Sequence, residues 1–226
     1  MSILKEIERK VKSKSATTNI LAVSKYQPSS KILELHAEGH RDFGENYVQE
    51  LLEKNTQLKD HDINWHFIGK LQSNKLKQLA SIEKLKSIHS LDSLAHAKKL
   101  DQLLDRTIDI FIQLNTSKEL NKGGLYPNTT QLDELVEFLC QSRHLNLAGL
   151  MTIGSYSQST SNTSENNEFN TLLQNRNQLN HKYSLNLLLS MGMSSDYMQA
   201  IDYHSDIVRI GSLLFGERPQ KQDRPV

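Results

Sequence analysis

"NILAVSKYQPSSKILELHAEGHRDFGENY", residues 19–47, contains the unit from which the whole chain is built. A short apolar run rises to Val23 and stops at Lys25. Tyr26, Gln27 and Pro28 follow, and proline cannot continue a strand interior. Ser29–Glu38 then places apolar residues at helical spacing, and Gly39 reads as the end of that helix. A second apolar run, "RDFGENY", begins at Arg41. The segment therefore reads as a strand, a helix and a second strand. A strand that ends in a lone lysine either presents an amine to a ligand or shows a charge to water, and this segment alone leaves both open.

The same alternation continues to the far end. The runs "INWHFIGK", "SIHSLD", "DIFIQLN", "NLAGLMTIG", "LNLLLSMG" and "DIVRIGSLLFG" bring the number of candidate strands to eight. Helical patterns lie between them at Val48–Leu58, Lys75–Ala80, Ser93–Leu104, Gln131–Gln141 and Glu168–Tyr183, with a shorter connection at Ser194–Tyr203. Strands alternating with helices imply βαβ units and a parallel sheet. Spread over the chain, each unit takes about 28 residues, the scale of one such step. Eight units close into a barrel, a fold whose length begins near about 200 residues. An open doubly wound sheet is the competitor, but its Gly-rich dinucleotide fingerprint after the first strand is absent. The expected fold is α/β, a single (β/α)8 TIM-type barrel, with one domain over residues 1–226. An N-terminal helix is expected at 1–14, a mobile polar loop at 155–167 within "SYSQSTSNTSENNEFN", and a charged tail at 217–226.

Composition narrows the function. The 226 residues carry a formal net charge of +1, unlike the strongly basic balance of a dedicated nucleic-acid binder. The single cysteine, Cys140, excludes an internal disulfide and fits a reducing compartment; in its helical pattern it is expected to pack as a small hydrophobe. The first residues lack the apolar core of a signal peptide, and no run is long enough to span a membrane. A cytoplasmic location is expected. "HAEGH" (36–40) does not match the zinc-protease helix motif, so no metal site is expected.

In a barrel of this class the site lies where the strands end. Those ends read Lys25, Asn46, His66, Ser90, Asn115, Met151, Ser190 and Arg209. "LSMGMSSD" (189–196) and "VRIGSLLFG" (208–216) each set glycine beside serine, at Gly192 and Ser194 and at Gly211 and Ser212. Small residues let backbone N–H groups approach an anion, and the loops after strands seven and eight often hold a phosphate. Ordinary turn chemistry explains either stretch alone; finding both at the expected places favours the phosphate. Closure would also set Lys25 beside Arg209. A lysine near another cation becomes nucleophilic toward carbonyls. The phosphorylated aldehyde that meets a lysine in this way is pyridoxal 5'-phosphate, whose ring nitrogen takes an Asp or Arg partner.

These residues carry a resemblance. "AVSKYQP", "FGENYVQE", "WHFIGKLQSNK", "HSLD", "LNTSKELNKGG", "GLMTIG", "LSMGMSSDY" and "VRIGSLLFGER" resemble the pyridoxal phosphate homeostasis proteins, a family related to the barrel domain of bacterial alanine racemases. The resemblance runs from about residue 20 to 218. It implies that Lys25 holds pyridoxal phosphate as a Schiff base, with Asn46 and His66 lining the pocket and Met151 near it. It implies that Ser190, the Gly192–Met193–Ser194 turn, Gly211 and Ser212 hold the phosphate, and that Arg209 faces the ring nitrogen. His204 stands where the family usually has glycine, Asn121 where serine is common, and Ser212 where threonine is common.

Two functions follow, a cofactor-holding protein and an amino-acid racemase-like enzyme. Alanine racemases, by resemblance, carry a β-rich domain after the barrel and a second acid/base; only "ERPQKQDRPV" follows Gly216 here, and no second base is visible. The expectation is a protein of intracellular pyridoxal phosphate homeostasis, without catalytic residues. It is expected to be a monomer whose partners are the cofactor and pyridoxal phosphate-dependent apo-enzymes, with no nucleic acid and no membrane.

Overall fold

A computed structural model describes residues 2–117, 119, 122–154 and 167–216. The loop expected at 155–167 lies outside the described residues except for Asn167, and the tail at 217–226 lies outside them, as does Asn121. The first element is helix α1 (Ile3–Lys14), capped by the Ser2 hydroxyl, which accepts from the Lys5 N–H. Its Leu4, Ile7 and Val11 fall on one buried face. There follow β1 (Asn19–Val23), α2 (Ser29–Ala37), β2 (Asp42–Glu45), α3 (Val48–Gln57), β3 (Asn64–Phe67), α4 (Leu76–Ala80), β4 (Leu85–Leu91) and α5 (Leu94–Leu103). The second half holds β5 (Ile108–Gln113), α6 (Thr130–Gln141), β6 (Leu145–Met151), α7 (Asn167–Tyr183), β7 (Leu188–Ser190), α8 (Tyr197–Asp202), β8 (Ile207–Ile210) and α9 (Ser212–Phe215).

Each strand pairs in parallel with the next, and β8 returns to pair with β1, so the sheet is a closed (β/α)8 barrel. The closing register sets Leu21 opposite Arg209 and Ala22 opposite Ile210. Alternation along the strands divides the buried residues into two layers. Phe43, Trp65 and Phe67 join Ile32, Leu51 and Leu79 in the core between strands and helices. The residues between them turn inward. Leu21, Phe111 and Met151 are buried but stand apart from that outer core, and they share the barrel interior with Gly44, His66, His89 and Arg209.

Cys140 departs from its expectation. The buried face of α6 is Leu132, Leu135, Val136 and Leu139, and Cys140 falls on the next position round the helix, exposed. His36 and His40 go separate ways, the first to the Asp62 carbonyl and the second to that of Asp42. No helix among the described residues is long and apolar enough to cross a membrane.

His204 has a φ of 62°, the left-handed region that glycine enters without a Cβ penalty. The turn is held from both sides: the His204 N–H donates to Ile201 O at 3.0 Å, and the Ser205 hydroxyl donates to Met191 O at 2.8 Å. Replacing His204 by glycine is expected to raise the unfolding free energy by about 1 kcal/mol, read from urea denaturation, because the strain of an L side chain is removed. Gly149 presents the opposite case. An added Cβ would meet Leu188 O at 2.3 Å and the Phe111 ring at 2.7 Å. Gly149→Ala is therefore expected to lower stability by roughly 1–3 kcal/mol in the same assay. An unchanged midpoint in either variant would contradict the packing described.

Candidate functional site

At the C-terminal end of the strands lies a cavity of about 440 Å³. Its polar lining is Lys25, Asn46, Ser194, Ser195, Arg209 and Ser212, with Gly211 between the last two. Val23, Ile68, Met151, Ile153, Met193 and Leu213 supply the apolar wall. Among these described lining residues the two ionisable side chains, Lys25 and Arg209, are both basic, so the cavity favours an anion.

Arg209 comes from the inner face of β8 and is only 4% exposed. Its Nη1 donates to Ser190 O at 2.7 Å and to Ser190 Oγ at 3.0 Å, and its Nη2 donates to Thr152 O at 2.8 Å. Burial lowers its pKa to about 10, which leaves it charged at neutral pH. Ser190 Oγ, which accepts from the guanidinium, also shares a hydrogen bond of 2.9 Å with His89 Nδ1. The His89 ring stacks on Phe111 with centroids 4.2 Å apart. Burial first, then the neighbouring His66 and Arg209, pushes its pKa well below the usual range and keeps it neutral.

The two glycine–serine turns form one wall. Gly192 has a φ of 91°, and a Cβ there would meet that of Ala200 at 2.5 Å, so only glycine fits this corner. Its carbonyl accepts from the Arg209 N–H at 2.9 Å, which ties the turn after β7 to β8. Beyond it the Met193 N–H donates to Asp196 Oδ1 at 2.6 Å. Ser194 Oγ then accepts from the Gly211 N–H at 3.3 Å, bringing both turns to one place.

The structure thus brings together Lys25, Asn46, Met151, Met193, Ser194, Arg209, Gly211 and Ser212. It does not bring His66, Ser190 or Gly192 to the lining. His66 faces the barrel interior one layer below, where it bonds Ser87 Oγ at 2.6 Å and Asp42 Oδ1 at 3.0 Å. Burial pushes the Asp42 carboxyl up, but His66 and Lys86 more than offset it and hold the group well below the usual carboxylate range. Ser190 and Gly192 act from behind the wall, by holding Arg209. Five lining residues were missed; two of them, Ser195 and Leu213, lie beside the glycine–serine turns, and the other three follow a rule that was available in the sequence. Val23, Ile68 and Ile153 each stand two positions from a residue singled out there, namely Lys25, His66 and Met151, and side chains two apart on a strand share a face.

Lys25 itself stands over a buried cluster of charges. Lys54 Nζ, on α3, donates to Glu45 Oε1, Glu50 Oε1 and Ser24 O, each at 2.7 Å. The Ser24 hydroxyl donates to Glu45 Oε1 at 2.6 Å. Glu45 is fully buried, and burial pushes its carboxyl up to about 7, although Lys54 draws it down.

Comparison with known proteins places this geometry. The sequence family described as "Alanine racemase, N-terminal domain" matches residues 4–219. A pyridoxal phosphate homeostasis protein of Schizosaccharomyces pombe is 43% identical over 210 residues, spanning 92% of this chain and 87% of that protein. The structure of PipY from Synechococcus elongatus with PLP bound superposes with a TM-score of 0.82 at 33% identity, covering 95% of this chain and all of that one. An alanine racemase of Clostridium difficile shares the fold, with a TM-score of 0.75 at 14% identity over 99% of this chain and 60% of its own length.

Glu45 makes a pH prediction. Its folded pKa, about 7, lies above its ordinary 4.5, so folding favours the protonated form. The contribution is full below the ordinary value and is lost as pH rises through about 7. Stability from this group is expected to fall between pH 4.5 and 7 and to level off above. Glu45→Gln, which stays neutral, is expected to remove that slope, measured as urea midpoints across the range. A wild-type slope retained in the variant would assign the effect elsewhere.

Proposed function

The chain belongs to the alanine racemase N-terminal domain family and, within it, to the pyridoxal phosphate homeostasis proteins, and from that premise we infer that it binds pyridoxal 5'-phosphate and serves its intracellular homeostasis. One observation carries the reading: a single cavity sets a lysine amine, a buried arginine and two glycine–serine turns around one volume. The residues fit such a group. Asn46 Oδ1 is buried at the cavity with no hydrogen-bond partner among the described residues, so a donor on the ligand would satisfy it. An added Cβ on Gly211 would meet the Val23 carbonyl oxygen at 3.3 Å, so glycine lets the end of β8 lie close against the end of β1 at the cavity.

In this reading Lys25 holds the aldehyde end as a Schiff base. Ser194, Gly211 and Ser212 hold the phosphate end through hydroxyl and backbone donors. Arg209 donates toward the ring nitrogen, and because a guanidinium keeps its proton, that nitrogen stays unprotonated. Bound there, the cofactor supplies a reactive aldehyde and an electron-withdrawing ring, which an arginine partner makes a weaker electron sink than a carboxylate would. Met151, Ile153 and Leu213 give the remaining wall an apolar surface.

The same lining supports a carrier over a racemase. Racemisation needs a proton acceptor on each face of the substrate carbon. Among the described lining residues Lys25 is the side chain suited to that task, and Arg209 is committed to Ser190 and Thr152. The name of the yeast relative points the same way. PLP-dependent apo-enzymes are the recipients this role implies, and the protein acts as a monomer.

Protein mixed with pyridoxal phosphate and reduced with borohydride is expected to carry the adduct on the peptide containing Lys25, and Lys25→Ala to carry none. Pyridoxal without phosphate is expected to bind far more weakly, since each charge-assisted hydrogen bond to an anion contributes about 1.5–3 kcal/mol. Incubation of loaded protein with L-amino acids in deuterated water is expected to exchange Cα–H no faster than free pyridoxal phosphate does. Exchange near the enzyme median of about 10 per second would establish a racemase-like enzyme instead.

A further inference from the structure

The peptide groups on both sides of Lys25 are held from below by buried charges. Ser24 contributes its carbonyl to Lys54 Nζ, and the Tyr26 N–H donates to Glu50 Oε1 at 2.6 Å. Between them the chain makes a tight turn, closed by the Gln27 N–H donating to Ser24 O at 3.0 Å. Tyr26 adopts a φ of 63°, in the left-handed region that a residue with a side chain enters at a cost. Such a conformation persists only where the surroundings over-determine it. Here they do so through one ammonium: Lys54 bridges Glu45, which anchors the Ser24 hydroxyl, and Glu50, which anchors the Tyr26 amide.

Buried ion clusters are a poor source of stability. Apolar residues of similar volume usually serve as well or better, because the charges need not be stripped of water. Lys54 and Glu45 have side-chain exposures of 5% and 0%, and α3 already buries Val48 and Leu51 against the barrel. What a cluster of this kind provides is direction. Three charge-assisted hydrogen bonds converge on the residues immediately before and after one lysine, and Lys54 ties their charged ends together.

We propose that the Lys54–Glu45–Glu50 cluster is the positioning device for Lys25, holding the Ser24–Gln27 turn in its left-handed form so that the amine enters the cavity. Lys54, Glu45 and Glu50 touch no ligand in this scheme; they act through the turn. The proposal rests on Lys25 being the residue that meets the cofactor.

The test compares wild type with Glu50→Leu, which removes the acceptor for the Tyr26 N–H, and with Glu50→Gln, which keeps the size and an oxygen. Gly149→Ala serves as a control that loses stability away from the turn. The first readout is hydrogen exchange of the Tyr26 amide in protein without ligand. Loss of a hydrogen bond to a charged group is expected to speed it by roughly tenfold or more in Glu50→Leu, with Glu50→Gln between that and wild type and Gly149→Ala near wild type. The second readout is the yield of borohydride-trapped pyridoxal phosphate on the Lys25 peptide, expected to fall in the same order. Unchanged Tyr26 exchange in Glu50→Leu overturns the proposal; if that variant does not fold, unchanged exchange in Glu50→Gln does so. Faster exchange with undiminished trapping also overturns it, since the turn would then be held without aiming the amine. Failure of wild type to be trapped at Lys25 sinks the functional reading alone, and the exchange data still decide whether the cluster holds the turn.

Discussion

Pairing of the first strand with the last is the constraint on which everything else depends. The four register pairs from Asn19 with Ile207 to Ala22 with Ile210 join segments separated by nearly the whole sequence. Until they form, Lys25 has no cavity beside it and Arg209 no interior to enter. Once they form, the residues that follow β1 and β8 share one rim, and the wall made by the β7 and β8 turns faces the lysine. The chain must therefore close its longest loop before it owns a site. The entropic cost of that closure grows only slowly with length, and the outer core of β-strand and helix side chains offsets it.

The barrel interior bears the opposite burden. It holds His66, His89, Ser190 and Arg209 where a barrel of this class usually packs branched aliphatic residues. Each polar side chain buried there needs partners, and most are supplied across strands: Asp42 and Ser87 for His66, Ser190 for His89, Ser190 and Thr152 for Arg209. The exceptions are informative. His89 Nε2 in the interior, and Glu45 Oε2 on the outer side between β2 and α3, are buried with no hydrogen-bond partner among the described residues. Both atoms belong to groups whose pKa burial has displaced, the carboxyl upward and the imidazole downward. Buried polar groups on both sides of the sheet thus settle their deficit by protonation state as well as by hydrogen bonds.

Much of this was legible in the sequence, and the failures have definite causes. The strand–helix alternation carried the fold because the short parallel strands, buried on both faces, read as compact apolar runs. Candidate helix Val48–Leu58 differs from α3 by a single residue. Reading strand ends located Lys25, Asn46 and Arg209 at the cavity, but it placed His66 there too. In β3 the strand runs one residue past His66, and the inward position at the rim is Ile68. The charge cluster was invisible for a different reason. Glu50 and Lys54 stand four apart on a helix, the spacing of an ordinary solvated pair, and their burial depends on Glu45 arriving from another strand. His204 shows that a local signal can be right about geometry and wrong about residue type. The position asks for glycine, and a histidine held by its neighbours fills it.

Arg209 does two jobs with one side chain, and this has an evolutionary consequence. Its hydrogen bonds to Thr152 and Ser190 stitch β8 to the ends of β6 and β7, so the group that borders the cavity is also a seam of the barrel. A lineage cannot exchange that arginine for a carboxylate by a single replacement, because the same step would set an anion against two carbonyl oxygens and open the seam. Ile153 and Leu213 of the apolar lining, 39% and 41% exposed, take no such hydrogen bonds. Descendants of this chain are free to drift there, so divergence in what the cavity admits is channelled to its apolar rim while its cationic corner is inherited unchanged.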